Sequence, residues 1–244
     1  MSTGLWQRLG ELMTRAVIVN SVFEMPQSMT TATELERAMA QAIAAFNAGR
    51  LDIAAGICNT LLQQDSGNAP AHQLLAVVYL GQRQSAAAYH HICASLQQRP
   101  DHAPSLKIAQ QVARANLEFG LALQHAGQWE PARDALERSL HLEPQQADAW
   151  FTLGLVQQDL RAWPQAAKAF GQALALRPDY AEAAVNLGIV LQDSGALDDA
   201  INAYRTAYRL RPDTFGRIAH ALTASNCGRM WLDLAELRQL LAAA

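Results

Sequence analysis

The apolar residues of this chain fall in clusters at helical spacing, and no stretch of useful length alternates apolar with polar residues. The fold class expected is therefore all-α. Purely apolar runs are short, Leu74 to Leu80 being one. None approaches the roughly 20 residues that cross a bilayer, so no stable membrane insertion is expected. Leu5, Trp6, Leu9, Leu12, Met13 and Val17 share one side of an N-terminal helix. Leu106, Ile108, Ala109 and Val112 lead toward Phe119 in another helix, and Leu237, Leu240 and Leu241 mark the last one.

The pattern is periodic on a longer scale. Pro144, Pro178 and Pro212 are 34 residues apart, and Pro100 precedes Pro144 by 44. Ala54, Ala88, Ala132, Ala166 and Ala200 keep the same period with the same ten-residue excess. Two residue types that share one period and one slip define an internal repeat. Small residues at the eighth and twentieth positions, Gly154 and Ala166 for example, let two antiparallel helices approach closely. Gly127 and Gly195 supply a permissive backbone for the turn between the helices. Pro131 and Pro164 fit the first turn of the second helix, and the closing proline ends it.

A 34-residue unit with Leu-Gly, a later alanine, an aromatic and a closing proline resembles the tetratricopeptide repeat. From Ala147 the match is Trp150, Leu153-Gly154, Trp163, Ala166, Phe170, Ala173 and Pro178. From Ala181 it is Leu187-Gly188, Gly195, Ala200, Tyr204, Ala207 and Pro212. From Ala113 it is Phe119-Gly120, Gly127, Trp129, Ala132, Ser139 and Pro144. Weaker copies start at Ala69 and at Leu35, the latter with Ser66 in place of the proline. The resemblance implies an α-solenoid of about five helix hairpins with helical N- and C-terminal caps. Residues 1–34 form the N-terminal cap or an association segment, and residues 35–102 two weaker repeats. Residues 103–212 hold the insertion and three strong repeats, and residues 213–244 the C-terminal cap. The ten extra residues read either as one long helix from about Pro104 to His125 or as a short helix and a break. Residues 213–244 end in a helix started by Asp233 and Glu236, and serve either as a cap or as a docking element anchored by Trp231.

Composition narrows the function. A formal charge of -3, from 19 basic and 22 acidic residues, gives no basic face for nucleic acid. Three cysteines, Cys58, Cys93 and Cys227, lack CxxC spacing and an even count, so no disulfide framework is expected. Arg8, Glu11 and Arg15 interrupt any signal-peptide core, and a cytoplasmic location is expected. Adjacent His90 and His91 point about 100° apart on a helix, so with Cys93 they make a poor metal set. No phosphate loop, HExxH or GxSxG motif is present, and neither catalysis nor a cofactor is expected.

In the family that this chain resembles, the first helix of each repeat lines a binding surface. The residues so implied are Leu117, Leu121, Phe151, Leu155, Gln158, Asp159, Val185, Asn186, Ile189, Gln192 and Asp193, an apolar stripe beside glutamines and an acidic edge. The lysine and asparagine that clamp a partner's C-terminal carboxylate in chaperone-binding members are missing. So is the asparagine ladder of O-GlcNAc transferase relatives, of which Asn186 alone remains. Two functions follow from the resemblance. One is an adaptor whose groove holds an apolar or amphipathic peptide. The other is a non-catalytic subunit of an enzyme or secretion complex, such as one for polysaccharide synthesis or glycosylation, that docks through its C-terminal segment.

The apolar stripe at residues 1–30 predicts either a masked array end or a homo-oligomer contact through Trp6, Leu9 and Met13. Light scattering and denaturation of the full chain and of a form lacking residues 1–30 test this. A change in mass or stability is expected, and no change in either makes the segment a tail.

Overall fold

The computed structural model describes residues 34–224 and 234–242, and every regular element among them is a helix. The helices are α1 (Glu34–Asn47), α2 (Leu51–Gln64), α3 (Ala69–Gly81), α4 (Ser85–Gln98) and α5 (Ala103–His125). They continue with α6 (Trp129–Leu142), α7 (Ala147–Asp159), α8 (Trp163–Leu176), α9 (Ala181–Asp193) and α10 (Leu197–Leu210). A 3-10 turn at Pro212–Thr214 leads into α11 (Phe215–Ala224), and α12 spans Leu234–Ala242. The described residues are thus all-α, and five helix hairpins among them keep the 34-residue register. The chain divides into two compact units, Met1–Asn116 and Leu117–Ala244, and the division falls within α5. The segments 1–33 and 225–233, with Trp6, Cys227, Trp231 and Asp233, lie outside the described residues.

Each hairpin turns in the same way. Residues Gly49, Arg83, Gly127, Arg161 and Gly195, all at the fifteenth position, adopt positive φ between 57° and 89°. The amide of the next residue donates to a carbonyl of the last helical turn, as Gln128 does to Leu123 and Ala196 to Leu191. This closure satisfies carbonyls that a helix end would otherwise leave bare. Arginine fills the left-handed position in two hairpins despite its steric cost.

Within a hairpin, the eighth and twenty-fourth positions meet face to face. A Cβ built on Gly154 would lie 2.6 Å from the Phe170 ring, and one on Gly120 would lie 2.9 Å from Leu136. One on Gly188 would collide with the ring of Tyr204. These three large side chains are fully buried, so each rests on bare backbone of the first helix. Where the eighth position is alanine, as in Ala42 and Ala76, the twenty-fourth is Cys58 or Ile92, neither of them aromatic. Tyr204 adds a polar anchor: its hydroxyl donates to Gln192 Oε1 at 3.0 Å, and Gln192 Nε2 donates to the Ala221 carbonyl at 2.9 Å. Burial raises the Tyr204 pKa well above that of a free phenol.

The ten-residue insertion forms the first part of one continuous helix of 23 residues, about 35 Å long. Ser105, Ile108, Val112 and Asn116 are buried on it. In the N-terminal unit, Ser105 Oγ is 3.1 Å from Ser95 Oγ of α4, and Asn116 Nδ2 donates to the Ser85 carbonyl at 3.1 Å. Those contacts explain why the extra turns stay helical. At the other end, Ile218 and Leu222 of α11 and Leu237 and Leu241 of α12 are buried with Val185 and Tyr204 in one apolar cluster. They cover the last hairpin as a terminal cap does.

Replacing Gly188 by alanine sets two effects against each other. Alanine gains roughly 0.5–1 kcal/mol in a helix interior, while overpacking a filled core costs about 1–3 kcal/mol. The collision with Tyr204 decides the sign, so Gly188→Ala should lower unfolding free energy in urea. Tyr204→Leu should cost less in that background than in the wild type, and additive effects would refute the contact.

Candidate functional site

The first-helix face of the C-terminal unit is built from α5 after Leu117, α7 and α9. Phe151 is its most structured element. Its ring centroid lies 5.7 Å from Phe170 and 4.9 Å from Tyr180. Arg177 pairs with both carboxylate oxygens of Asp148 at 2.8 Å and stacks 4.6 Å above the Tyr180 ring. The Tyr180 hydroxyl donates to Asp148 at 3.1 Å. Hydrogen bonding from Arg177 holds the Asp148 carboxyl below the usual range. Burial, then the Asp148 carboxylate, pushes the Tyr180 phenol up to about 12. Asp148 is 70% exposed, so this exposed pair contributes little stability and acts mainly by holding Tyr180 over Phe151. Arg211 and Glu182 repeat the same pairing one period later.

Of the eleven residues named from the sequence, Leu117, Leu121, Phe151, Leu155, Gln158 and Ile189 are half-buried, and Asp159 and Asp193 are exposed. Phe151, Leu155 and Leu187 share one cluster with Phe170. Three residues leave the face. Val185 is fully buried beneath α11 and α12, Asn186 is buried, and Gln192 is committed to Tyr204 and Ala221. Their side chains serve the hairpin and its cap, because α11 packs against α9 where another repeat would stand. Glu118 is half-buried and Phe119 is 47% exposed, although Leu153 at the equivalent position is buried. The Asp148–Arg177–Tyr180 cluster escaped the sequence reading. Its signal was a charge pair 29 residues apart, Asp148 with Arg177 and Glu182 with Arg211.

The histidines of the N-terminal unit have a different arrangement from the one read in the sequence. His91 pairs with His72, Nδ1 to Nδ1 at 2.9 Å, and stacks on Tyr79. His72 Nε2 is 3.1 Å from the Ser66 carbonyl, which can only accept, so His72 Nδ1 takes the proton that His91 Nδ1 donates. Among the described residues no three His, Cys, Asp or Glu side chains come together as a metal set. Burial raises the Cys58 thiol to about 12 and also raises that of Cys93. Neither is an activated thiolate.

The described residues thus form helix hairpins repeated in one register. The tetratricopeptide-repeat sequence model matches residues 117–157 and 151–214, so this part of the chain is a tetratricopeptide-repeat array. Arrays of this family are protein–protein interaction scaffolds that generally bind protein or peptide partners, and they are generally non-catalytic. Similar solved structures include MamA, 20% identical over 74% of this chain and 93% of that one, at a TM-score of 0.41. PilF of Pseudomonas aeruginosa is 19% identical over 85% and 87%, at 0.42. A mutant O-GlcNAc transferase of Thermobaculum terrenum is 30% identical over 47% of this chain and 22% of that one, at 0.42. No curated protein matches the chain. No helix among the described residues is long and apolar enough to cross a membrane.

The His91 environment fixes a pH response. Burial first, then His72 and His90, lower its pKa to about 4 from the ordinary 6.5. The folded value lies below the unfolded one, so the stability it reflects is complete above pH 6.5 and is lost as pH falls toward 4. Urea midpoints measured across that window should fall with acid, and His91→Gln should flatten the fall. An unchanged slope in the variant would contradict the pairing.

Proposed function

We propose that the protein is an adaptor whose C-terminal unit holds an apolar or amphipathic segment of a partner against α5, α7 and α9. The observation that carries this reading is the row of half-buried Leu121, Phe151, Leu155 and Ile189 beside exposed Asp159 and Asp193. A partner helix or strand gains by covering those side chains, and an acidic edge favours a segment with a neutral-to-basic polar side. Leu117 and Gln158 extend the row. Val185, Asn186 and Gln192 take no part in it, because their side chains are buried. Phe151 is held from both sides by Phe170 and Tyr180, so its edge is presented without a large loss of side-chain entropy on binding.

A random peptide library selected on the full chain tests this reading. Selected peptides should be amphipathic, and Leu121→Ala and Leu155→Ala should each weaken them about tenfold or more, since buried anchors typically contribute over 1 kcal/mol. Asp159→Asn should slow association and reduce its salt dependence, with little change in dissociation. Phe151→Ala requires a denaturation control, because it also opens the cluster with Phe170. Peptides that bind the two leucine variants as tightly as wild type would move the site elsewhere.

A further inference from the structure

The long helix α5 carries two repeat registers, ten residues apart. One runs from Ala103, which is 34 residues after Ala69, and the other from Ala113. In the first register, positions 3, 7, 10 and 14 are Ser105, Ala109, Val112 and Asn116, all of them buried. Ser105 and Asn116 meet α4 through Ser95 and Ser85. In the second register the same positions are Ala115, Phe119, Ala122 and Ala126. Phe119 is 47% exposed, and Ala122 and Ala126 are exposed as well. The later repeats bury this stripe under the preceding second helix. Leu153 and Val156 of α7 share a cluster with Leu140 of α6, and Val190 of α9 shares one with Phe170 of α8. The insertion thus gives α4 its own stripe on α5 and leaves a second stripe bare.

We propose that this stripe is covered by the same stripe of a second copy of the chain, the two α5 helices running antiparallel. Its side chains complement themselves. Phe119 and Ala126 lie seven residues apart on one side of the helix, with Ala122 and Leu123 between them. About a twofold axis at residues 122 and 123, the Phe119 ring of each copy falls on Ala126 of the other, and the contact is made twice. Alanines at positions 10 and 14, where α7 has Val156 and Leu160, leave room for that ring. The packing is the one used inside the hairpin, where Phe170 rests on Gly154. Charge follows the same symmetry. Glu118 and His125 are also seven residues apart and edge the stripe on one flank. Like flanks face each other in an antiparallel pair, so each Glu118 carboxylate meets an imidazole of the other copy. A ring, its socket, an acid and its counterpart within two turns suit self-pairing, whereas a foreign helix needs one half of each pair. The contact is short and belongs to the small, transient class of interface. Phe119 points about 160° from Leu121, so pairing is separate from the first-helix face and does not depend on the adaptor reading.

Sedimentation equilibrium of the full-length chain, up to about 1 mM, reads association of this strength. A reversible monomer–dimer equilibrium is expected. Phe119→Glu, at an exposed position, should leave thermal unfolding unchanged and weaken the dimer about tenfold or more. His125→Glu sets like charges across the axis and should weaken it too. Adding Glu118→Lys to His125→Glu restores opposite charges and should recover the wild-type dimer. That rescue reports a contact between copies, which a change within one chain would not produce. The proposal fails if the chain stays monomeric throughout, if Phe119→Glu leaves the dimer intact, or if the double variant pairs no better than His125→Glu alone. A dimer lost on removing residues 1–30 and untouched by Phe119→Glu would overturn it in favour of that segment.

Discussion

The structure depends on one steric contact repeated in three hairpins: a large side chain of the second helix resting on a bare backbone patch of the first. Gly154 under Phe170 and Gly188 under Tyr204 are the tightest instances, and Gly120 under Leu136 is a third. Both aromatic rings rest on glycine. Ala42 and Ala76 stand where the partners are Cys58 and Ile92. With the invariantly buried alanines at Ala54, Ala88, Ala132, Ala166 and Ala200, this fixes how near the two helices lie. The turn at the fifteenth position then has one conformation to adopt, even where arginine must occupy it.

Because the ring is inside the hairpin, the outer sides of the first helix are free for other work. On α7, Phe151, Leu155 and Gln158 stand half-buried, while Trp150, Leu153 and Gln157 line a separate cavity of about 380 Å³. On α9 the arrangement differs. There α11 takes up Val185 and draws Gln192 into a buried chain of hydrogen bonds with Tyr204. A surface that looks uniform in the repeat register is therefore uneven in space. The end of the array has been spent on its own cap.

The repeat itself was legible because backbone sterics act through single residues at fixed spacing, so Gly154, Ala166 and Pro178 announce it. The continuous helix through Pro104 was legible as one of two readings, since Leu106 to Val112 carry the apolar period onward. What escaped depends on contacts between elements. Val185 and Ile189 look alike in sequence, and only the placement of α11 distinguishes them. His72 and His91 belong to different helices and carry no shared motif, so the adjacent His90 drew the attention instead. Gln157 was visible only as a polar residue where neighbouring repeats have leucine. Its unmet oxygen is a property of the fold.

If the ring-on-glycine contact binds each hairpin into one cooperative body, its two helices cannot open separately. Native-state hydrogen exchange measures this directly, because it reads the opening free energy of each helix. The slowest amides of α9 and α10 should share one opening free energy and one denaturant dependence, and those of α7 and α8 should do the same. Exchange from α9 at a clearly lower free energy than from α10, with α10 still protected, would contradict the account.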